Sequence, residues 1–314
     1  MIPSSVNPMP EHFNPINAFL EKEDVTVLVV DSGLGGMAIC ADIARNLPQK
    51  RHFKTVSLIY FNAWPEPYRG YNRLGSRKEQ IETFDRALYG MQQFKPDFIM
   101  LACNTLSVLY PATDFHQYAM VPVVDIVDFG VNMMAKAVQK RDDQQLIILG
   151  TVTTIDSGVH RDRLMQKGIA ADRIVQQPCD QLATAIENGP DSSLVADMVH
   201  KFMYAATLKI NPSTEKVYAA LCCTHFGYCQ DQFQKKLSQL TGKTAIVLNP
   251  NHHMTNHFLF ACEDRGFDTH QHIKVVSKIK WGSSKIRAIS QQIAPVSSQT
   301  AQALCAYAYI PGLF

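Results

Sequence analysis

Val25-Thr26-Val27-Leu28-Val29-Val30-Asp31-Ser32-Gly33-Leu34-Gly35-Gly36 decides the fold. Residues 25–30 are β-branched or leucine without interruption, which reads as a strand buried on both faces; a half-exposed strand would alternate polar and apolar side chains. The run ends in a polar, glycine-rich turn. From Met37 the apolar residues fall at helical spacing, and the helix is expected to stop at Pro48. The same order of strand, polar turn and helix recurs after 57–61, 97–103, 145–150 and 216–222. Such alternation implies parallel α/β sheets, whose functional residues gather at the carboxyl edges of the strands.

The functional-looking residues fall into two sets, within 31–105 and within 151–225, each ending in a strand followed by a Cys-containing tripeptide. This predicts two similar doubly wound parallel-sheet domains facing a central cleft. The first is expected to comprise 24–127 plus 246–295, and the second 128–245. Residues 1–23 and 296–314 are expected to be accessory ends, the Ser-, Gln- and Ala-rich tail either docking or mediating association, and a homodimer is one expected assembly.

A chain of 314 residues, 46% hydrophobic and 18% charged, can bury two sizeable cores. The net charge of +2 is spread without a basic stripe, which argues against nucleic acid and anionic membranes and for a small-molecule partner. No apolar run reaches the roughly 18 residues that span a bilayer. The first residues lack a basic start followed by an apolar run, so a cytoplasmic location is expected. The eight cysteines are irregularly spaced and are expected to be reduced thiols.

Cys103 sits in Cys103-Asn104-Thr105 between a strand and an expected helix. A thiol at a helix N-terminus is expected to ionise more readily. Cys223-Thr224-His225 repeats the arrangement with an imidazole two residues on, able to stabilise a thiolate or relay its proton. One cysteine after a strand is usually a small packed residue. Two in matching contexts point to paired chemistry. Asp31-Ser32-Gly33 offers backbone amides and a hydroxyl to a carboxylate. Asp31 itself could act as a base, bind an ammonium, or merely shape an Asx turn.

Taken in order, DSGLGG (31–36), ACNT (102–105), GTVTTIDSG (150–158) and CTH (223–225) resemble the signatures of glutamate racemase and the aspartate/glutamate racemase superfamily. A softer match, CDQLATAIENG (179–189), places a family acid at Glu187. The resemblance covers roughly 25–290. It implies a cofactor-independent, metal-free amino-acid racemase in which Cys103 and Cys223 exchange the Cα proton of a small acidic amino acid, glutamate ahead of aspartate. It further implies that Asp31 supports Cys103, while Glu187 and His225 support Cys223. Ser32, Tyr68, Asn104, Thr105, Thr151 and Thr224, with Asp31 and His225, would bind substrate. Inversion at one carbon needs an acid and a base able to exchange roles, and two thiols meet that need.

The match breaks in places. The family's Pro-Tyr-Gly loop is interrupted here by Arg69, within Pro67-Tyr68-Arg69-Gly70, and residues are inserted before Gly75. Cys222 stands where the family commonly has Gly, and Phe226-Gly227 replaces Tyr-Pro. Arg69 could pair with a side-chain carboxylate of the substrate or be a solvated loop residue, and Trp64 could wall the pocket or anchor the loop. His252, His253 and His257 have a spacing that can hold zinc, but without a Glu or further ligand they read as a polar helix start after Pro250. A decarboxylase or isomerase of the same superfamily, or a non-catalytic binding homologue, are the alternative functions.

Overall fold

The computed structural model describes residues 15–138 and 143–314. Of the expected lead-in, residues 1–14 lie outside the described residues. The helix Pro15–Leu20 brings Phe19 into the core, its ring 4.6 Å from that of Phe98 and 5.2 Å from that of Phe53.

Among the described residues, ten strands are arranged in two parallel sheets, one in each of two α/β domains. They are β1 (Asp24–Asp31), β2 (Thr55–Asn62), β3 (Phe98–Leu101), β4 (Val123–Asp125), β5 (Gln144–Gly150), β6 (Ile174–Pro178), β7 (Lys216–Cys222), β8 (Thr244–Leu248), β9 (His270–Ser277) and β10 (Ala308–Tyr309). The first sheet runs β10-β9-β2-β1-β3-β4 and the second β6-β5-β7-β8. Within the first, the order β2-β1-β3-β4 repeats the order β6-β5-β7-β8 of the second. β3 and β7, the strands that precede Cys103 and Cys223, therefore hold equivalent places.

Both sheets are covered on both faces, as continuous apolar strands require. Val27 and Val29 pack on one side of β1, Leu28 and Val30 on the other. In β5, Ile147 and Leu149 face one core and Leu146 and Ile148 the opposite one. Each such side chain, fully withdrawn from water, stabilises the fold by about 1.5–3 kcal/mol.

Three boundaries differ from the expected ones. The helix after the glycine turn runs Met37–Lys50, straight through Pro48. Proline has no N–H to give the carbonyl four residues back, and Gln271 Nε2 donates to that Ala44 carbonyl instead, at 2.8 Å. Residue 246 lies within β8, which pairs with β7, so the chain returns to the first domain only afterwards. The tail is built into the first domain: Ala301 and Leu304 enter one core and Leu313 the other, while β10 pairs with β9.

Among the described residues no helix is long and apolar enough to cross a membrane. All eight cysteines are free, and only Cys305 is exposed.

Candidate active site

A cavity of about 360 Å³ lies between the carboxyl ends of the two sheets. Asp31, Ser32, Cys103, Asn104 and Thr105 reach it from the first domain, and Thr151, Glu187, Cys223, Thr224 and His225 from the second. The motifs meet there because β1, β3, β5 and β7 are parallel and end at the same level as their neighbours.

Cys103 caps the four-residue helix Asn104–Ser107 and is 5% exposed. Its Sγ is 3.2 Å from Ser32 Oγ. The expected easy ionisation is not found. Burial, with the Asp31 carboxylate adding to it, pushes the Cys103 thiol far above its ordinary value of 9.0, and the hydrogen bonds from Ser32 only partly offset this. One helical turn supplies too small a dipole to oppose desolvation and a neighbouring anion.

Asp31 does not hydrogen-bond Cys103. Its Oδ1 accepts from Gly33 N at 3.0 Å, and its Oδ2 from Gly36 N at 2.7 Å and Thr224 Oγ1 at 2.7 Å. The carboxylate thus shapes the glycine turn and ties the two domains together.

Cys223 has a different setting. It is also 5% exposed, and its Sγ lies 3.6 Å from His225 Nδ1. His225 Nε2 donates to Glu187 Oε1 at 2.7 Å, and Glu187 Oε2 pairs with Lys285 Nζ at 2.6 Å. Burial penalises a charged imidazole, but the hydrogen bonds to Cys223 and Glu187 overcome it and raise His225 well above 6.5. Glu187 pays the same desolvation and is nevertheless lowered to about 2 by His225 and Lys285. The result is a buried row of alternating charge, with a cation next to the Cys223 sulfur.

The glycine turn fits into this row. Leu34 N donates to Glu187 Oε1 at 2.7 Å. A Cβ on Gly33 would stand 2.5 Å from that oxygen and 2.7 Å from His225 Cε1. On Gly35 it would strike Thr224 Oγ1 and lie 2.5 Å from His225 N. Gly33 and Gly35 of DSGLGG serve close approach between domains here, rather than an unusual backbone angle.

Other expected ligands also meet across the cleft. Thr105 Oγ1 is 2.9 Å from Thr151 Oγ1. Asn104 Oδ1 is 3.1 Å from His160 Nε2, which leaves Asn104 Nδ2 buried and without a protein partner at the cavity wall. His160 is held neutral, its pKa lowered to about 4 by burial and by Arg163.

The loop departs from its expected roles. Tyr68 stands at the cavity rim and is 99% exposed. Arg69 does not line the cavity: Nη1 is 2.9 Å from Glu79 Oε1 and 3.6 Å from Glu66 Oε2, and Nε donates to the Arg73 carbonyl. Trp64 does wall the cavity, and its ring touches Gly70, where a Cβ would lie 2.5 Å from Cη2. Arg73 bridges to both oxygens of Asp180 at 3.2 and 3.0 Å, and Asn72 Oδ1 accepts from Thr153 N, so the loop is latched to the second domain. His252 pairs with Asp42, and His253 and His257 lie against the Phe129 ring. Among the described residues, no three His, Cys, Asp or Glu side chains are grouped to hold a metal ion.

Two cleft residues, and one that backs the cleft behind Asn104, carry no sequence signal of their own. Lys285 comes from the helix Ser283–Ile293, far along the chain from either motif set. Tyr71 is buried at the cavity with no protein partner for its hydroxyl. His160 lies in the helix Val159–Gln166, just after the GT motif.

No family model matches the chain. It is 25% identical to the glutamate racemase of Chlorobaculum tepidum over 231 residues, 72% of this chain and 75% of that protein. It is 27% identical to the glutamate racemase of a Jannaschia species over 229 residues, 68% of this chain and 77% of that one. These similarities support a place in the aspartate/glutamate racemase superfamily. The relatives it matches over most of its length are isomerases of the racemase type. The fold is that of solved glutamate racemases. The Bacillus anthracis enzyme superposes with a TM-score of 0.64 at 19% identity, over 88% of this chain and 94% of that one. The Francisella tularensis enzyme in complex with D-glutamate gives 0.63 at 18% identity, over 86% and 94%.

Proposed function

We propose that this superfamily member racemises an acidic amino acid, glutamate ahead of aspartate, by moving the Cα proton between Cys223 and Cys103. The observation that carries the reading is the pair of thiols, each after the equivalent strand of its sheet, lining one shared cavity. In the direction that starts at Cys223, its thiolate takes the proton from Cα. The bonding pair stays on the substrate, delocalised into the α-carboxylate. The Cys103 thiol then delivers its proton to the opposite face, leaving Cys103 as thiolate and Cys223 as thiol. The reverse direction exchanges the roles.

The charges support this assignment. Cys103 is held as a thiol, fit to donate. A protonated His225, 3.6 Å from Cys223, is the counter-ion that a thiolate base needs. Asn104 Nδ2 and the Ser32 hydroxyl supply donors where carboxylate charge grows as the proton leaves. Asp31 and Thr224 act on the site mainly through each other, and Glu187 positions His225.

The test is NMR in deuterated buffer with both enantiomers of glutamate and aspartate. Deuterium is expected at Cα of an acidic amino acid, with the product enantiomer formed, and racemisation is expected to vanish in both Cys103→Ala and Cys223→Ala proteins. Exchange that survives either substitution would refute the two-thiol mechanism. Exchange with no amino acid would refute the racemase reading in favour of a decarboxylase, another isomerase or a binding homologue.

A further inference from the structure

Lys285 and Arg73 are the lysine and arginine side chains that reach the cavity wall. Arg73 is 54% exposed and spends its guanidinium on both oxygens of Asp180. It is a latch at the mouth. Lys285 lies deeper, its side chain 24% exposed, with Nζ 2.6 Å from Glu187 Oε2 and 6.0 Å from the centre of the Trp64 ring.

An ammonium has three N–H donors. Glu187 takes one, and the other Glu187 oxygen is already occupied by His225 and Leu34 N. No second acceptor for Lys285 is found among the described residues. Glu187 and His225 link Lys285 to Cys223, which sets the ammonium two side chains away from the reacting sulfur. It lines the cavity beside the Trp64 ring, with donors left for a bound group.

We propose that Lys285 is the specificity-determining residue of this site: its ammonium binds the carboxylate at the end of the substrate's side chain. The proposal rests on the racemase reading and adds to it the group that selects acidic substrates. Arg69 cannot serve, being tied to Glu79 and Glu66 outside the cavity. A charge-assisted hydrogen bond in a half-closed pocket discriminates an acidic from a neutral side chain by about tenfold or more.

The experiment compares wild type with Lys285→Met, Lys285→Gln and Lys285→Arg, the last keeping the charge and the middle one a polar side chain of related length. Binding of glutarate, succinate and butyrate is measured by calorimetry, and kcat and KM are measured for glutamate and glutamine. Wild type is expected to prefer the dicarboxylates to butyrate by about tenfold. Lys285→Met and Lys285→Gln lose that preference, and Lys285→Arg keeps most of it. For glutamate, KM rises about tenfold in the two neutral variants, and glutamine gains relative to glutamate in kcat/KM.

The proposal is overturned if the neutral variants keep the dicarboxylate preference. It is equally overturned if they lose kcat alike for every substrate with KM unchanged, the mark of a residue that only holds Glu187. Should wild type exchange the Cα proton of no amino acid, the racemase reading falls, while the binding measurements still decide what Lys285 does.

Discussion

Cys103 and Cys223 follow β3 and β7, occupy the same place in two sheets of matching order, and are buried to the same degree. Their partners differ in charge. Cys103 has only a neutral hydroxyl at 3.2 Å, and burial together with the Asp31 carboxylate keeps its proton on. Cys223 has an imidazole at 3.6 Å, backed by a carboxylate and then an ammonium. The repeated strand order thus supplies symmetric positions, and a few side chains make them chemically unequal. A racemase gains from that inequality, because one face must begin as base and the other as acid.

Breaking the charged side gives the largest expected effect. Glu187→Gln keeps the shape of the side chain and removes the charge that both raises His225 and neutralises Lys285. Turnover should fall by about 10²–10³, the scale of a lost general acid–base contribution. Ser32→Ala removes one hydrogen bond to a thiol that is already protonated, and should cost less than about tenfold. Comparable losses in the two variants would show that the two sides are not unequal in the way the geometry indicates.

The second effect is read without substrate. A thiolate is the species that alkylates, so limiting iodoacetamide at neutral pH should modify Cys223 before Cys103, by about tenfold or more when followed by peptide mass spectrometry. Glu187→Gln should narrow that ratio. Cys103 reacting first would reverse the assignment of base and acid in the free protein.

Much of this arrangement is legible in the chain itself, for identifiable reasons. Uninterrupted β-branched runs such as 25–30 mark doubly covered strands, and the polar tripeptides after them mark the carboxyl edges where a cleft forms. Asp31, Cys103, Glu187 and His225 all line that cleft. What the chain conceals is of two kinds. Lys285, Tyr71 and His160 reach the site by tertiary packing alone: the residues around Lys285, Ser283-Ser284-Lys285-Ile286, read as an ordinary helix start. The other kind is a balance of forces. The position of Cys103 before a helix suggests a readily ionised thiol, but only the folded protein shows a helix of four residues opposed by complete burial and a neighbouring carboxylate. Arg69 misleads for a related reason: it is tied to Glu79 and Glu66 outside the cavity, while Trp64 and Tyr71 line it and Tyr68 stands at its rim.

The smallest expected effect concerns stability, and it isolates the Cys103 side. In the unfolded chain this thiol loses its proton above about pH 9, its ordinary value being 9.0, whereas in the folded chain burial and Asp31 hold the proton on. Above that pH the unfolded state therefore binds fewer protons than the folded one, and stability must fall as pH rises. One such group contributes a slope of at most about 1.4 kcal/mol per pH unit. Cys40, lifted to about 12 by burial, and the buried Cys179 and Cys222 contribute in the same sense and remain in every variant. Cys103→Ser has no thiol to titrate, so urea unfolding between about pH 9 and 10.5 should show a slope shallower than wild type by about 1 kcal/mol per pH unit. An unchanged slope would mean that Cys103 ionises in the folded protein as easily as in the unfolded chain. The two thiols would then begin the reaction as equals, and the division of labour between them would have to come from the bound substrate.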